Sequence, residues 1–592
     1  MTTLEKIEKL RVLLKKQKLD AYIITSNDPH LSEYVPEFWK ARAWFSGFSG
    51  SAGTVVVSKE NAALWTDSRY FLQAEQQLEK SGIELCKMGL PETPSIEEWL
   101  AMNIGKHARI GLDGRLQSVQ GVQGTIDRLK RYGIEVITSI DLIDPIWDNR
   151  PSLPHNKAFT HELKYSGLTI SEKIGLIRGE LSKYDADATL LTALDEVCWA
   201  FNLRGSDVAF NPVVLAYGLI TDNEVTLFID SQKIDESTAN LLSQERVKIK
   251  DYNKIEKELG KLGKHDTILI DPQKVNYHLY KHIGEKATVI EKLSPAALLK
   301  ARKNSVELEG IRNAMVADGV ALTKFFIWLE QNVDSATITE LTIAEKLREF
   351  RSLNSNFISE SFDTIAGYAD HGAIVHYSAT QQTSYTIKPE GFLLVDSGGQ
   401  YYSGTTDITR TVHLSTPSAE EMQDYTLVLK GMIQLSMINF PVGTRGTQLD
   451  VLARMAMWNK NINYGHGTGH GVGCFLNVHE GPQSIRPNEN PILLEVGMVQ
   501  SNEPGIYRAG KYGIRIENLI ACQPAAETAF GKFLRFETLT LCPIDTKPID
   551  KMLLTKEETE WLNNYHSMVF SKLNKFLTEE EKQWLENKTK PL

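Results

Sequence analysis

Four acidic residues in the last third of the 592-residue chain lie where strand-like runs end or begin, and this placement strongly constrains the fold. Asp396 ends an apolar run, and Asp407 lies on the alternating run that follows the turn at 397–399. Glu503 and Glu517 have the same relation around the Pro-Gly turn at 504–505. An antiparallel hairpin can place two such side chains next to each other. We therefore predict two hairpins, each delivering two carboxylates, in one pseudo-symmetric half of the molecule.

A histidine in a glycine-rich run completes the predicted site. His470 lies in the run 465–471, which lacks the Lys-Ser/Thr ending of a phosphate loop and the helix context of a dinucleotide site. Its glycines are expected to let the backbone approach a bound substrate. Carboxylates with a single imidazole suit two hard or borderline divalent ions, which can hold a hydroxide between them at neutral pH. A metal-dependent hydrolase is the leading hypothesis, with these predicted ligands: Asp396, Asp407, His470, Glu503 and Glu517.

Three further histidines flank the predicted ligands. A single histidine is more often structural than catalytic, but His376, His466 and His479 all lie in this segment. Their number favours proton transfer or substrate contact. Arg515 stands two residues before Glu517, so we expect it to share the face of that strand and to orient a carboxylate.

Composition excludes several classes of protein. Apolar residues make up 42% of the chain and charged residues 24%, which is typical of globular proteins. The net charge is −10 and no basic block occurs, so we expect no nucleic-acid partner. No apolar run approaches the length of a membrane span, so we expect no membrane partner. Five widely spaced cysteines without a CxxC pair indicate reduced thiols and a cytoplasmic protein.

The first two-thirds of the chain contain a weak internal duplication. The segment 19–25 is echoed by 186–192, and each copy continues through a glycine-containing segment to a strand-like run. Strands that alternate with helical patterns predict two related α/β domains. Prolines at 145, 151 and 154 mark a linker, and Asn304 with Glu307 can cap a long helix. We predict domains at 1–155, 156–302 and 303–592, the last with a C-terminal helical extension.

Several segments of the chain resemble one known family. They are Trp-Thr-Asp-Ser-Arg-Tyr-Phe at 65–71, Asn-Leu-Arg-Gly-Ser-Asp-Val at 202–208, Gly-His-Gly-Thr-Gly-His-Gly at 465–471, Asn-Val-His-Glu-Gly-Pro at 477–482 and Glu-Trp-Leu-Asn-Asn-Tyr-His at 560–566. With the five acidic and histidine positions, they are similar to the pita-bread metallopeptidases, and most of all to the three-domain cytosolic aminopeptidases P. The resemblance covers essentially the whole chain. It implies an α/β (α+β) fold with two creatinase-like α/β domains followed by a pita-bread catalytic domain.

The resemblance also implies an activity and roles for the site residues. Asp407 and Glu517 would bridge two divalent ions, for which the family implies manganese, with zinc or cobalt as alternatives. Asp396 would bind one ion, and His470 with Glu503 the other. A hydroxide between the ions would hydrolyse the first peptide bond of peptides with proline at the second position, and Glu503 would carry a proton to the leaving nitrogen. The family further implies a homodimer.

Three alternatives stay open at this point. Prolidase shares the catalytic fold but typically has one N-terminal domain, and methionine aminopeptidase usually has neither. A pita-bread module that binds peptides or histones without catalysis is a different class. Such modules lose metal ligands, whereas all five predicted ligands are present here.

Overall fold

A computed structural model of the protein describes residues 1–335 and 337–592. These residues divide into two units, one formed by 1–160 with 168–296 and the other by 161–167 with 297–592. None of the described helices is both long enough and apolar enough to cross a bilayer.

The beginning of the first unit is a six-stranded sheet covered by helices. Its strands have the order β4-β3-β2-β1-β5-β6. The helix at the start of the chain is amphipathic: Thr2 and Glu5 form a capping box at its N-terminus, and Leu10 and Leu14 are buried. The elements are β1 (Ala21–Ile24), β2 (Thr54–Ser58), β3 (Ala62–Thr66), β4 (Glu84–Lys87), β5 (Arg109–Leu112), β6 (Glu135–Ile137), α1 (Thr3–Gln17), α2 (Ala41–Ser46), α3 (Phe71–Gln77), α4 (Ile96–Ile104) and α5 (Val119–Lys130).

A second six-stranded sheet of the first unit repeats this topology. The next elements of the chain are β7 (Phe159–Thr160), β8 (Ala188–Leu191), β9 (Leu203–Arg204), β10 (Ala216–Thr221), β11 (Val225–Ile229), β12 (Val247–Lys250), β13 (Thr267–Ile270), β14 (Thr288–Glu291), α6 (Leu163–Ser166), α7 (Ile170–Leu181), α8 (Leu194–Ala200), α9 (Glu236–Gln244), α10 (Ile255–Leu259), α11 (Tyr277–His282) and α12 (Pro295–Ala301). The order is β12-β11-β10-β8-β13-β14. In both sheets the central strand, β1 or β8, is antiparallel to one neighbour and parallel to the other. The predicted duplication is therefore confirmed.

The second unit combines antiparallel sheets with long helices. Its elements are β15 (Phe357–Glu360), β16 (Ile365–Tyr368), β17 (Phe392–Ser397), β18 (Gly399–Tyr401), β19 (Gly404–Thr405), β20 (Ile408–His413), β21 (Asn439–Pro441), β22 (Gly469–Gly471), β23 (Glu480–Ile485), β24 (Val499–Asn502), β25 (Gly505–Arg508), β26 (Tyr512–Arg515), β27 (Asn518–Thr528), β28 (Gly531–Thr538), α13 (Ser305–Asn332), α14 (Glu340–Ser352), α15 (Ala419–Met437), α16 (Gly446–Trp458), α17 (Lys556–Leu573) and α18 (Glu579–Lys588). One sheet has the order β16-β17-β20, and a larger one β21-β28-β27-β24-β22-β23.

The helices of the second unit begin where their capping residues predict. Asn304, Ser418, Thr555 and Thr578 each form a capping box with the glutamate three residues later. The C-terminal helices bury Leu562, Val569 and Leu585 in the same core as α15. The expected C-terminal extension therefore packs on the core of its own unit.

Candidate metal centre

The first carboxylate pair is delivered by a nested hairpin. β17 pairs with β20, which places Asp396 opposite Thr409, and β18 pairs with β19 inside the same hairpin. Asp407 lies one residue before β20, so its predicted position on a strand is wrong. The inner hairpin explains this, because it extends to Thr406, whose hydroxyl accepts a hydrogen bond from the amide of Gly399, and the regular pairing of β20 begins only after Asp407.

The second pair is delivered in the same way. β24 pairs with β27, with Asn502 opposite Asn518, and β25 pairs with β26 inside the hairpin. Glu503 directly follows the outgoing strand and Glu517 directly precedes the returning one. The two predicted hairpins and their likeness to each other are therefore present.

The two hairpins and β22 bring all five predicted ligands together. Ligand atoms of Asp407, His470 and Glu517 lie within 4.8 Å of one another. His470 Nε2 is 3.4 Å from Asp407 Oδ2 and 3.6 Å from Glu503 Oε1. The charges of Asp396 and Asp407 act on each other and on Glu517. Segments more than a hundred residues apart in the chain thus form one acidic site.

The tautomer of His470 suits a metal ligand. Its Nδ1 lies 2.9 Å from the carbonyl oxygen of Gly471, and a carbonyl only accepts, so Nδ1 carries the proton and donates. Nε2 is then the nitrogen directed toward Asp407 and Glu503. Against the lowering effect of burial, these carboxylates raise the pKa of His470 to about 9, so a metal ion would displace a proton from Nε2. Histidines that bind metals are commonly held by such a bond from the other ring nitrogen.

The acidic groups carry negative charge that the protein does not fully match. Burial, reinforced by neighbouring carboxylates, raises the pKa of Glu517 well above its ordinary value and that of Glu503 to about 7. Burial also raises the pKa of Asp396, against the lowering effect of Arg515. Asp396 Oδ1 and Glu517 Oε1 are buried without a hydrogen-bond partner among the described residues. Buried anions with unpaired oxygens fit divalent cations, and two such ions would balance four carboxylates.

Arg515 connects the two hairpins. Its Nη2 donates to Asp396 Oδ2 at 2.5 Å and its Nε to Thr409 Oγ1 at 3.1 Å. The hydroxyl of Thr409 in turn donates to Glu517 Oε2 at 2.9 Å. We expected Arg515 to orient a carboxylate through a shared strand face with Glu517. The hydrogen bond to Asp396 agrees with the expectation that Arg515 orients a carboxylate. The expected shared strand with Glu517 is wrong, because β26 ends at Arg515, and Thr409 links the guanidinium to Glu517 instead.

The three flanking histidines differ in their surroundings. His466 Nδ1 donates to the carbonyl of Gly467, and its Nε2 accepts from the Tyr507 hydroxyl at 2.8 Å, which itself accepts from Arg515. The ring of His479 meets that of His470 edge to face, with centroids 4.3 Å apart. His376 is half-buried in the turn after the short helix Ala369–Ala373. Their catalytic roles stay predictions.

Sequence reasoning missed a buried glutamate close to His376 in the chain. Glu340 accepts hydrogen bonds from the amides of Tyr368 and Tyr385, from His371 Nδ1 and from the Tyr377 hydroxyl. The His371 ring stacks between those of Tyr377 and Tyr385, at 4.3 and 3.7 Å. This network holds the segment that carries His376. A glutamate at the start of a helix gives no sign of it in the sequence.

A second missed residue is Glu480, which lies next to His479. Its carboxylate is buried and forms ion pairs with Lys300 and Lys303, both buried as well. The pairing fixes the backbone that carries His479. The lysines lie 177 and more residues away in the chain, so no local pattern reveals the contact.

The glycines near His470 serve the protein's own packing. A Cβ on Gly469 would lie 1.9 Å from the carbonyl oxygen of Ser501, and one on Gly471 would lie 2.3 Å from that of Glu480. Both positions therefore need glycine so that β22 can lie against its neighbours. The expectation that these glycines admit a substrate is not needed to explain them.

Family models match nearly the whole chain. Residues 6–143 and 149–307 each match a creatinase/prolidase N-terminal domain. Residues 309–524 match metallopeptidase family M24, and 532–592 match its C-terminal region. The predicted fold class, two creatinase-like α/β domains followed by a pita-bread domain, is confirmed. Fold and site together are those of a metallopeptidase.

Individual relatives cover the same length. The chain is 41% identical to a probable Xaa-Pro aminopeptidase P of Laccaria bicolor, over 98% of this chain and 91% of the relative. It is also 41% identical to Xaa-Pro aminopeptidase 1 of Dictyostelium discoideum, over 96% and 93%. The crystal structure of X-prolyl aminopeptidase from Caenorhabditis elegans, described as a cytosolic enzyme with a di-nuclear active site, superposes with a TM-score of 0.94 at 36% identity, covering both chains fully. The chain belongs to metallopeptidase family M24, in the branch of the Xaa-Pro aminopeptidases.

Proposed function

We propose that this enzyme removes the N-terminal residue from peptides that have proline at the second position. The observation that carries the proposal is the convergence of four carboxylates and His470 at one site. The full-length similarity to Xaa-Pro aminopeptidases supports the choice of substrate.

The residues present fit two divalent ions. In this proposal Asp407 and Glu517 would hold both ions, Asp396 would hold one, and His470 with Glu503 would hold the other. When bound, such a pair supplies an activated water and polarises the scissile carbonyl. The assignment agrees with the unpaired buried oxygens of Asp396 and Glu517.

The chain's own residues would handle the proton. The scissile bond before proline is a tertiary amide without an N–H, so its nitrogen must gain a proton as the bond breaks. Glu503 is suited to carry it, because Oε1 accepts from the Ser501 hydroxyl at 3.2 Å and faces His470. His466 is held in one tautomer by Gly467 and Tyr507, and with His376 and His479 it would contact the substrate.

A digest of three peptides tests this function. The manganese-supplemented protein is incubated with Arg-Pro-Pro, Arg-Ala-Ala and the dipeptide Arg-Pro, and the products are identified by mass spectrometry. We expect arginine from Arg-Pro-Pro and none from Arg-Ala-Ala. A clear preference for Arg-Pro would move the function to a prolidase. No cleavage by metal-loaded protein would favour a binding module.

An Asp407→Asn variant tests the metal assignment in the same assay. We expect loss of both bound metal and turnover, because an amide replaces the carboxylate that would contact both ions. Full activity of this variant would refute the assignment.

Finer properties are part of the same proposal. Manganese is the proposed metal, since oxygen-rich sites suit it. A cytoplasmic location agrees with five buried cysteines that form no disulfide among the described residues.

A homodimer is proposed from the resemblance alone. We propose domains at 1–155, 156–302 and 303–592, because the family models change near the first and second boundaries.

A further inference from the structure

A second cluster of metal-binding side chains lies far along the chain from the acidic site. Among residues 1–335 and 337–592, two groups bring three ligand atoms within 4.8 Å of one another. One contains Asp407, His470 and Glu517, and the other consists of Glu256, His278 and His282. Glu256 lies on α10 and both histidines lie on α11, in the second sheet module of the first unit.

The distances within this cluster match a tetrahedral metal site. His278 Nε2 is 3.0 Å from Glu256 Oε1, and His282 Nε2 is 3.6 Å from Glu256 Oε2. Zinc bonds of about 2.0–2.2 Å in a tetrahedron separate neighbouring ligand atoms by about 3.3–3.6 Å. The observed distances bracket that range. The two distances run to different oxygens of Glu256, and one ligand atom from each of the three residues lies within 4.8 Å of the others, so the side chains would have to draw together around a bound ion.

The tautomer of His282 is set for binding. Its Nδ1 is 2.8 Å from the carbonyl oxygen of His278, so Nδ1 donates and Nε2 presents a lone pair toward Glu256. The two imidazoles stand four residues apart on one helix face, with ring centroids 4.4 Å apart.

The duplication supplies an internal comparison. In the first sheet module, Glu97 on α4 is bridged to α5 by Arg128, whose Nη2 lies 2.7 Å from the carboxylate. The equivalent helices of the second module carry Glu256 and two histidines. In the first module a single guanidinium, which is always charged, is enough to bridge α4 and α5. The second module instead directs two imidazole nitrogens and a carboxylate to one point, where His278 Nε2 now donates a hydrogen bond to Glu256 and would exchange that proton for a metal ion.

We propose that Glu256, His278 and His282 bind a divalent transition-metal ion, with zinc as the fitting case. Two imidazoles and a carboxylate are a common donor set for zinc, and they leave a fourth position to water. The three side chains are partly exposed, between 30% and 47%, so an ion can enter from solvent. The bound ion would cross-link α10 to α11.

Zinc counting tests this site in the full-length protein. Manganese-loaded protein is dialysed against excess zinc, and bound metals are counted by mass spectrometry. The comparison includes wild type, His282→Ala and Glu256→Gln. His155→Ala is the matched control, since His155 is exposed and meets one carboxylate, that of Asp230, at 3.1 Å. Zinc that replaces manganese at the acidic site contributes equally in all four proteins.

We expect wild type and His155→Ala to hold one zinc per chain more than His282→Ala and Glu256→Gln. Hydrogen exchange across 277–282 should slow on zinc addition in wild type but not in His282→Ala. Equal zinc contents in all four proteins would overturn the proposal. So would an equal loss in His155→Ala, which would show that any surface histidine gives the signal.

Discussion

Replacing Arg515 with lysine tests how the protein orients its metal ligands. The guanidinium is 2% exposed and donates to Asp396, Thr409 and the Tyr507 hydroxyl through three different nitrogens. Lysine has three N–H donors on a single nitrogen and cannot reproduce the planar fork that reaches these three separated acceptors. Asp396 would then lose its fixed position, and Glu517 would lose the support that reaches it through Thr409.

The expected effect is a loss of metal affinity. Removing a group that orients a metal ligand typically costs ~10–100-fold in affinity. That range corresponds to ~1.4–2.7 kcal/mol, in line with one lost hydrogen bond to a charged group. Calorimetric titration of metal-free protein with manganese would measure it. Activity at saturating metal would fall less than activity at limiting metal.

Arg508→Lys is the matched control for this experiment. Arg508 lies in the same inner hairpin and also pairs with a buried aspartate, Asp424, at 2.8 and 2.9 Å. It contacts none of the proposed ligands in the contacts described. An unchanged affinity in Arg515→Lys would contradict the role assigned to Arg515. An equal drop in Arg508→Lys would show that the effect is a general loss of stability.

Three further predictions concern glycine, histidine and glutamate positions. Gly469→Ala should bind less metal and lower the free energy of unfolding by ~1–3 kcal/mol, because the added methyl group overlaps a backbone carbonyl oxygen. Gly467→Ala is the control: its Cβ would lie 3.3 Å from the nearest atom, so its metal content and melting temperature should stay close to those of wild type. Burial lowers the pKa of His566 to about 4, so on acidification the unfolded chain binds this proton near pH 6.5, before the folded chain does, and the free energy of unfolding should fall by up to ~3 kcal/mol between these two pH values. Thermal unfolding at pH 7 and pH 5 should show a smaller loss of stability in His566→Gln than in wild type, and an identical loss would contradict the assignment. Glu340→Gln should weaken the network around His371 by ~1–3 kcal/mol and lower turnover more than metal content, and a variant with wild-type turnover would separate this network from catalysis.

Features set by neighbouring residues were predictable from the sequence. Asn304 and Ser418 each start a helix with a capping box, which is a signal within four residues. The carboxylate pairs were predictable for the same reason, since each is made within one hairpin. The error at Asp407 came from an inner hairpin too short to leave a periodic pattern.

Features that depend on distant partners were not predictable. Thr409 and Glu517 are 108 residues apart, and Arg515 meets Asp396 across 119 residues. Glu480 resembles any exposed glutamate in the sequence until the fold buries it against two lysines. Periodicity and propensity describe the local chain, whereas these contacts are decided by how sheets and helices pack.

The nested hairpins have a consequence for the order of folding. Each carboxylate pair closes a short loop, whereas the bond from Thr409 to Glu517 closes one of more than a hundred residues, so the pairs can form well before they meet. The last step then brings two negatively charged pairs together, and cations relieve the repulsion. A chain that binds the metal ions has therefore already brought its two carboxylate hairpins together. Metal content therefore also measures how much of a preparation has reached the native state.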